Sequence, residues 1–439
     1  MTAISFLPSI DAGNGWNRIL PPRTPMPVLE GRKRADWIVI GAGFAGLAAA
    51  RRLAENRPTD SIALIEAHEI GENASGRNAG FAIDLPNDLG ASPGQLDTSR
   101  RHMRLNRAAM SHLETVMRSC AIDCSWSRRG RYHAAVSARG TEEILTPFAT
   151  ELGALGEPLR WLSGQELERE LGTPYYHSAV YTPGCVLLNP AALTRGLAAT
   201  LPGNVSLYEN SPVVVAEYGR DIELATPHGF IQAPRMILAV NGFAAEFGFF
   251  RRHLLRFAAY ASLTRPLTES EDAALAGAGD WGLTPANAFV STTMRHTPDR
   301  RVLIAHHMVY APWHGVSDRD LARVRRKHRR VFLKRFPTLS EVTFDFTWAG
   351  YVCLSRNGAP GFGRAASNIW TAVCQNAMGV TNGTISGLLA ADMACGEDNS
   401  LIADIEALGR PERLPPQPFY NCAVRIGNRW NLWRNRHEA

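Results

Sequence analysis

The feature that most constrains the fold is a glycine motif between a short apolar run and a stretch of small residues. Residues 37 to 40 are Trp-Ile-Val-Ile, and Gly41, Gly43 and Gly46 follow directly. The small residues from 46 to 56 predict a helix, and a second β-rich run ends at Glu66. Strand, tight turn, helix and strand in this order predict a βαβ unit, whose right-handed crossover requires a parallel sheet.

This βαβ unit has the chemical signature of a dinucleotide site. The three glycines permit a tight turn, close approach of a pyrophosphate, and packing of the helix against the strand, and the helix N-terminus attracts phosphate. Glu66, twenty residues after Gly46, can accept hydrogen bonds from ribose hydroxyls. The alternative is that the glycines merely turn the chain. The predicted contacts in this unit are Gly41, Gly43, Phe44, Ala45, Gly46, Glu66 and Ala67.

A second cluster of small, hydroxyl and guanidinium residues follows Glu66, and a nicotinamide-binding domain has no need of it. Residues 74 to 80 read Ala-Ser-Gly-Arg-Asn-Ala-Gly. They resemble a segment of the D-amino-acid oxidase superfamily of FAD enzymes, closest to the branch of γ-glutamylputrescine oxidoreductase and L-pipecolate oxidase. The resemblance implies FAD, with this segment along the flavin's phosphates and ribityl chain. The implied contacts are Ser75, Gly76, Arg77, Asn78, Ala79 and Gly80.

Four later segments extend the resemblance over most of the chain. Residues 211 to 214 resemble the strand whose main chain meets the adenine, and residues 237 to 242 resemble the family's Ala-x-Asn-Gly strand end. A Trp-x-Gly segment ends at residue 350. Residues 375 to 381 open a helix whose N–H groups would stabilise negative charge at the flavin's O2 edge. The implied contacts are Val213, Asn241, Gly242, Gly350, Met378, Gly379, Val380 and Thr381.

Three departures from the family pattern narrow the expected chemistry. Members that oxidise simple α-amino acids hold the carboxylate with an arginine where this chain has Val352, which argues against a glycine or D-amino-acid oxidase. The cysteine that tethers FAD in the sarcosine oxidase branch aligns with Gly350 rather than Cys353, so we expect FAD without a covalent bond. That branch's flavin-side lysine is absent from residues 302 to 307. Either oxygen or a quinone-type carrier is therefore the expected electron acceptor.

The substrate pocket is predicted from residue chemistry. Hydride transfer from an amine requires its neutral form, so a base is needed, and His306 and His307 are candidates. The alternative is that these successive histidines simply face core and solvent. Arg295 and Arg356 are candidates to pair with a substrate carboxylate, and Tyr351 to form a wall of the site. We expect no metal, because no carboxylate completes a histidine site.

The predicted fold class is α/β, with a Rossmann-like FAD-binding domain of the glutathione-reductase type and a β-rich α+β substrate domain. Residues 1–32, rich in proline and glycine, form an N-terminal arm. The FAD-binding domain comprises 33–100, 175–250 and 345–400, the substrate domain comprises 101–174 and 251–344, and 401–439 form a C-terminal extension.

Composition and charge exclude several classes of protein. Hydrophobic residues make up 45% and charged residues 20%, as in ordinary globular proteins. The excess of 47 basic over 41 acidic residues is mild, and the basic run at 323–335 has apolar residues near helical spacing. We therefore expect a solvated helix face with Leu321, Val324, Val331 and Phe336 inward, and no nucleic-acid partner. No secretory signal is recognisable at the start and the seven cysteines are scattered, which favours the cytoplasm.

The end of the chain mixes aromatic and basic residues from 419 to 434. Such a segment either docks on the same chain or a partner subunit, or makes peripheral contact with the inner face of a membrane.

These features together predict a C–N bond oxidation. A polyamine conjugate such as γ-glutamylputrescine, or a cyclic secondary amino acid such as L-pipecolate, would be converted to an imine by hydride transfer to flavin N5. The second substrate requires an arginine outside the Trp-x-Gly segment. Two rivals are a nicotinamide-dependent dehydrogenase and a flavoprotein whose structural FAD supports a partner-binding module.

Overall fold

A computed structural model describes residues 2–9, 11, 13–86, 93–275, 279–286, 290–312, 315–417 and 419–438. The strands are β1 (Thr2–Ala3), β2 (Gly31–Arg34), β3 (Trp37–Ile40), β4 (Ile62–Ile65), β5 (Phe81–Ala82), β6 (Arg131–Ala135), β7 (Arg160–Ser163), β8 (Ser178–Thr182), β9 (Val186–Leu187), β10 (Val205–Tyr208), β11 (Val215–Tyr218), β12 (Ile222–Ala225), β13 (Gly229–Ala233), β14 (Arg235–Leu238), β15 (Leu255–Thr264), β16 (Trp281–Pro285), β17 (Thr293–His296), β18 (Val302–Tyr310), β19 (Phe344–Leu354), β20 (Gly361–Ala366) and β21 (Ile369–Val373).

The α-helices are α1 (Gly15–Arg18), α2 (Phe44–Asn56), α3 (Ala74–Arg77), α4 (Pro93–Ser119), α5 (Ala138–Gly140), α6 (Thr146–Leu155), α7 (Gly164–Leu171), α8 (Pro190–Ala199), α9 (Glu269–Ala273), α10 (Asp318–Arg335), α11 (Thr381–Cys395), α12 (Ser400–Ala407) and α13 (Phe419–Arg434). Short 3-10 helices span Asn241–Ala245, Pro337–Leu339 and Arg436–Glu438, and a π-helical turn spans Thr141–Leu145.

A six-stranded sheet forms the centre of the nucleotide-binding half. Its order is β10-β4-β3-β14-β21-β20, and all neighbouring pairs are parallel except β20 with β21. Every residue of β3 and β4 is buried, as expected for strands covered on both faces. The predicted βαβ unit is confirmed as β3, α2 and β4.

Helices α2, α4 and α11 pack together on one face of this sheet. A Cβ at Gly387 of α11 would lie 2.0 Å from the Ala45 carbonyl oxygen of α2, so the two helices approach at backbone distance. Leu105 and Leu113 of α4 are buried in the same core. The predicted domain boundary between residues 100 and 101 falls inside α4, which packs with the nucleotide-binding half.

The N-terminal arm is part of a second sheet. Its strands β1 and β2 form the two edges of a five-stranded sheet ordered β1-β11-β12-β13-β2. Ile4 and Leu29 are buried in the core beneath it. The predicted boundary between residues 32 and 33 falls inside β2, since pairing with β13 continues from Gly31 to Arg34.

An eight-stranded sheet, ordered β19-β15-β18-β17-β16-β6-β8-β7, forms the other half of the molecule. Two of its strands, β8 and most of β19, fall in segments that the sequence assigned to the FAD-binding domain. Helix α10 buries Val324 and Phe332 and exposes most of its basic residues, as predicted. Phe332 takes the inward position that was predicted for Val331, one residue away.

None of the helices within the described residues is long and apolar enough to cross a bilayer.

Candidate active site

The sequence motifs meet at the carboxyl edge of the six-stranded sheet. Gly41 follows β3, Glu66 follows β4, Asn241 follows β14, and Gln375 follows β21. Because these strands are adjacent and parallel, the segments after them lie side by side, where ligands bind in open α/β sheets. The Asn241 side-chain oxygen accepts a hydrogen bond from the Gln375 N–H at 3.3 Å, which joins two of the segments directly.

The glycine motif forms a cradle that side chains would fill. A Cβ at Gly46 would lie 1.7 Å from the Gly41 carbonyl oxygen, and one at Gly43 would lie 2.6 Å from the Ser75 hydroxyl. Helix α2 begins at Phe44 with no cap from Gly43, and the Ser75 hydroxyl accepts from the Phe44 N–H at 3.0 Å. A helix N-terminus with glycines beside it is suited to a phosphate group.

A cavity of about 930 Å³, counting its opening to solvent, lies against this cradle. It brings together nine of the predicted residues: Gly41, Gly43, Glu66, Ala67, Ser75, Val213, Asn241, Gly242 and Tyr351. Val213 lies in an extended segment just before β11 rather than on a strand.

Glu66 is buried in the wall of the cavity and held by three donors. Its carboxylate accepts from the Ala42 N–H at 2.8 Å, the His68 N–H at 3.2 Å and the Asn73 side-chain amide at 3.1 Å. Burial raises the pKa of Glu66, while these hydrogen bonds oppose that shift. A carboxylate has about four acceptor positions, so capacity remains for a ligand hydroxyl.

The N-terminal arm supplies cavity residues that sequence reasoning missed. Ile4, Phe6, Leu7 and Pro8 line the cavity opposite the glycine cradle. The Phe6 ring lies 6.2 Å from the ring of Phe243, and the guanidinium of Arg256 lies 5.5 Å and 5.8 Å from the two rings. The apolar run from residue 4 to residue 8 was the available signal, but its proline and glycine neighbours suggested only an arm.

Arg77 is a buried structural clamp. Its guanidinium donates to the Asp11 carboxylate at 3.0 Å, to the Ala349 carbonyl at 2.9 Å and to the Glu72 carbonyl at 2.5 Å. These contacts fasten α3 to β19 and to the arm. The predicted contact of Arg77 with flavin phosphates stays a prediction, and its guanidinium is already engaged by protein groups.

The rest of that segment is also internally bonded. The Asn78 side chain donates to the Ser75 carbonyl at 2.7 Å and accepts from the Gly80 N–H at 2.8 Å. Gly80 adopts φ +79°, and a Cβ there would lie 2.2 Å from a guanidinium nitrogen of Arg295. Gly76 and Ala79 complete this turn, and Gly350 passes close beside Arg77. The loop is therefore preformed along the sheet edge.

Arg295 stabilises the loop of residues 74–80 through hydrogen bonds to main-chain carbonyls. It is buried, donates to the Gly80 carbonyl at 3.0 Å and to the Leu188 carbonyl, and lies 5.2 Å from the Trp16 ring. Burial lowers the pKa of Arg295 to about 10, which leaves it cationic at neutral pH. It does not line the cavity, so the structure gives this predicted substrate residue a supporting position.

Of the other catalytic candidates, His306 and Arg356 do not line the cavity. His306 is buried on β18, with its Nδ1 2.9 Å from the Ser291 carbonyl oxygen, and the side chain of His307 lies outside the described residues. Arg356 has 65% of its side chain exposed, and its Nε lies 3.7 Å from Glu412. The Tyr351 hydroxyl donates to the Ser9 carbonyl at 3.0 Å. Of the four candidates with described side chains, Tyr351 alone lines the cavity.

The last predicted motif forms a tight turn into α11. Asn376 and Ala377 adopt positive φ angles of 47° and 65°, and the Met378 N–H donates to the Gln375 carbonyl at 3.0 Å. Helix α11 starts at Thr381, directly after Gly379 and Val380. Its N-terminus thus lies at the same sheet edge as the other motifs, and the implied contact with the flavin stays a prediction.

A parallel sheet with a glycine cradle, a buried carboxylate after the second strand and a cavity between them defines a dinucleotide-binding protein with a second, β-rich half. The chain belongs to the family of FAD-dependent oxidoreductases, whose family model matches residues 36–393. The predicted recognition, enzyme class and cofactor are confirmed, and the nicotinamide alternative is wrong. The glycine cradle and the buried Glu66 carboxylate, which has acceptor capacity left, fit the nucleotide portion of FAD.

Two curated relatives match nearly the whole chain. The probable oxidoreductase OrdL of Haemophilus influenzae is 26% identical over 417 residues, covering 91% of this chain and 92% of the relative. The gamma-glutamylputrescine oxidoreductase of Escherichia coli is 26% identical over 407 residues, covering 90% of each.

Solved structures share the fold. The glycine oxidase of Geobacillus kaustophilus has a TM-score of 0.72 at 20% identity, covering 87% of this chain and all of that one. The L-proline dehydrogenase of P. horikoshii has a TM-score of 0.69 at 16% identity, covering 88% of this chain and 98% of that one. The predicted fold class is thereby confirmed.

We expect the FAD to be held without a covalent bond. Cys353 is the cysteine of interest because it lines the cavity, but a hydrogen bond with Cys374 and burial raise the pKa of its thiol well above the usual value. The thiolate that attack on a flavin requires is therefore disfavoured. Acid precipitation of the purified protein is expected to release all flavin into the supernatant. A pellet that keeps its yellow colour after washing would contradict this prediction.

Proposed function

We propose that this enzyme oxidises the terminal amine of a polyamine conjugate such as γ-glutamylputrescine. The 26% identical relative from E. coli carries that substrate in its name, and its similarity extends over 90% of both chains. A cyclic secondary amino acid such as L-pipecolate is the second candidate. The two differ in one feature that the site must recognise: the second carries a carboxylate beside its reacting C–N bond.

The choice between the two substrates rests on the arginines near the site, whose guanidinium groups are already bonded to protein groups. Val352 occupies the position where an arginine would hold a substrate carboxylate. Arg77 and Arg295 are buried and bonded to protein groups. Of the described residues that line the cavity, one is an arginine, Arg256, and its guanidinium pairs with Glu246 at 2.6 Å. A bidentate clamp for an α-carboxylate is therefore not supported.

The proposed reaction converts R–CH2–NH2 to R–CH=NH, and water then hydrolyses the imine to an aldehyde and ammonia. FAD, when bound, accepts the hydride from the substrate carbon. The chain must take the proton of the substrate ammonium, since only a neutral amine can stabilise the forming iminium. Burial raises the pKa of Tyr351, so its phenol stays protonated and does not serve as that base. His306 and His307 stay predictions for this role, and His306 does not line the cavity.

We favour a quinone-type electron acceptor over oxygen. In the sarcosine oxidase branch of the family that this chain resembles, a lysine beside the flavin helps to reduce oxygen to superoxide. The chain has three lysines, Lys33 on β2 and Lys327 and Lys334 on α10, and none of them lines the cavity. Because none of these lysines lines the cavity, we expect the reduced flavin to be reoxidised slowly by air and faster by a soluble quinone.

Anaerobic titration of the purified holoprotein tests the proposal. Addition of γ-glutamylputrescine is expected to bleach the visible flavin absorbance stoichiometrically, whereas L-pipecolate leaves it unchanged at the same concentration. Either air or a quinone is then admitted, and the rate at which the flavin absorbance returns measures reoxidation by that acceptor. Bleaching by L-pipecolate but not by the conjugate would contradict the substrate proposal. A flavin that no amine reduces would instead support the alternative of a structural cofactor.

A further inference from the structure

The C-terminal helix α13 is attached to the body of the protein mainly at its two ends. At the start, the Tyr310 hydroxyl on β18 donates to the Asn421 side-chain oxygen. After the helix, the buried Glu438 accepts from the Val136 N–H at 2.9 Å and from the Ser137 hydroxyl at 2.6 Å. None of the 16 residues of α13 is buried. Because it is attached at its two ends, α13 leaves most of its surface exposed to solvent.

The exposed side of α13 carries an apolar stripe. Phe419, Ile426, Trp430 and Trp433 are 70%, 67%, 59% and 56% exposed. Their spacings of seven, four and three residues place them on one side of an α-helix. The rings of Trp430 and Trp433 lie 5.0 Å apart, so they form one aromatic surface. Single exposed apolar residues need no explanation, but an aligned set marks an interaction site.

The charged residues of α13 itself all have one sign. Arg425, Arg429 and Arg434 lie on the helix, and the guanidinium of Arg436 lies 5.1 Å from the Trp433 ring. No aspartate or glutamate occurs between residues 419 and 437. At the helical repeat, Arg425 and Arg429 fall on one flank of the stripe and Arg434 on the other. The surface is thus apolar along its centre and cationic on both sides.

We propose that α13 docks this enzyme on an anionic lipid surface. Tryptophan and phenylalanine settle at the boundary of headgroups and acyl chains, and flanking arginines attract anionic headgroups. A second copy of the chain fits less well, because two such helices would bring like charges together without a carboxylate to neutralise them. The proposal is independent of which amine is oxidised.

Vesicle binding by the full-length holoprotein tests the proposal. Vesicles of phosphatidylcholine are compared with vesicles that also contain phosphatidylglycerol. We expect co-sedimentation with the anionic vesicles to be at least about tenfold stronger and to weaken as salt is added. Contact should also shift tryptophan emission to shorter wavelength. Absence of binding to both kinds of vesicle would overturn the proposal.

Matched variants locate the effect. Trp430→Ser combined with Trp433→Ser, and separately Arg425→Gln combined with Arg429→Gln, should each weaken vesicle binding by about tenfold or more. Arg323→Gln combined with Arg330→Gln removes the same charge from exposed positions of α10 and should bind as the wild type does. Retained flavin absorbance shows that each variant is folded. Equal weakening in the α10 variant, or none in the α13 variants, would contradict a role for α13.

Discussion

Replacing Gly46 with alanine is expected to yield a protein that purifies with little flavin. The new methyl group would lie 1.7 Å from the Gly41 carbonyl oxygen, which belongs to the backbone of the cradle and has no rotamer to change. Either α2 moves away from β3 or the turn at residue 41 opens, and both displace the N–H groups that a phosphate requires. We expect FAD affinity to fall by about 100-fold, equivalent to about 3 kcal/mol. Flavin fluorescence titration of the apoprotein measures the change.

Gly153→Ala is the matched control for this change. Gly153 lies within α6, and a Cβ there meets no atom within 4 Å. Because nothing lies near the new methyl group, this variant should bind FAD normally. Alanine favours a helix by about 1 kcal/mol over glycine, so the variant should also unfold at a slightly higher denaturant concentration. If Gly46→Ala binds FAD as tightly as Gly153→Ala, the cradle does not hold the cofactor.

Asp11→Asn is expected to lower the free energy of unfolding by about 3 kcal/mol, because it removes a carboxylate partner from a buried guanidinium. The side chains of Asp11 and Arg77 are 6% and 2% exposed, and their charged atoms lie 3.0 Å apart. Glu72, 3.3 Å from Arg77, remains as a weaker partner and keeps the loss at the lower end of the range for buried pairs. Urea denaturation measures the shift in midpoint.

The surface pair of Arg356 and Glu412 provides the comparison. These side chains are 65% and 54% exposed and 3.7 Å apart, so solvent screens their attraction. Glu412→Gln should leave the unfolding midpoint unchanged. Equal midpoints for the two variants would show that Asp11 does not fasten the arm to the cofactor-binding half.

The locally encoded parts of the fold were predictable. The βαβ unit was assigned correctly because its signals lie within about thirty residues: apolar strands, a glycine turn, and a small-residue helix. The start of α8 is likewise encoded locally, since the Asn189 side chain accepts from the N–H groups of Ala191 and Ala192 and Pro190 occupies the first turn. Each of these features depends on neighbours in sequence.

The roles of the buried arginines were predicted less well, because these side chains find partners far along the chain. Arg295 bonds to the carbonyl of Gly80, 215 residues away, and Arg77 to that of Ala349, 272 residues away. A sequence shows that these arginines are present but not that their guanidinium groups are occupied. Their availability for a substrate carboxylate therefore could not be judged beforehand.

The sequence by itself determined the cofactor class and the βαβ unit, since the glycine spacing and the strand and helix signals act over short distances. Tertiary structure decided which residues surround the cavity. It placed the N-terminal arm against the cavity, used the buried arginines as internal supports, and left α13 exposed. These outcomes depend on long-range packing and on the requirement that buried charges be paired, which no local pattern records.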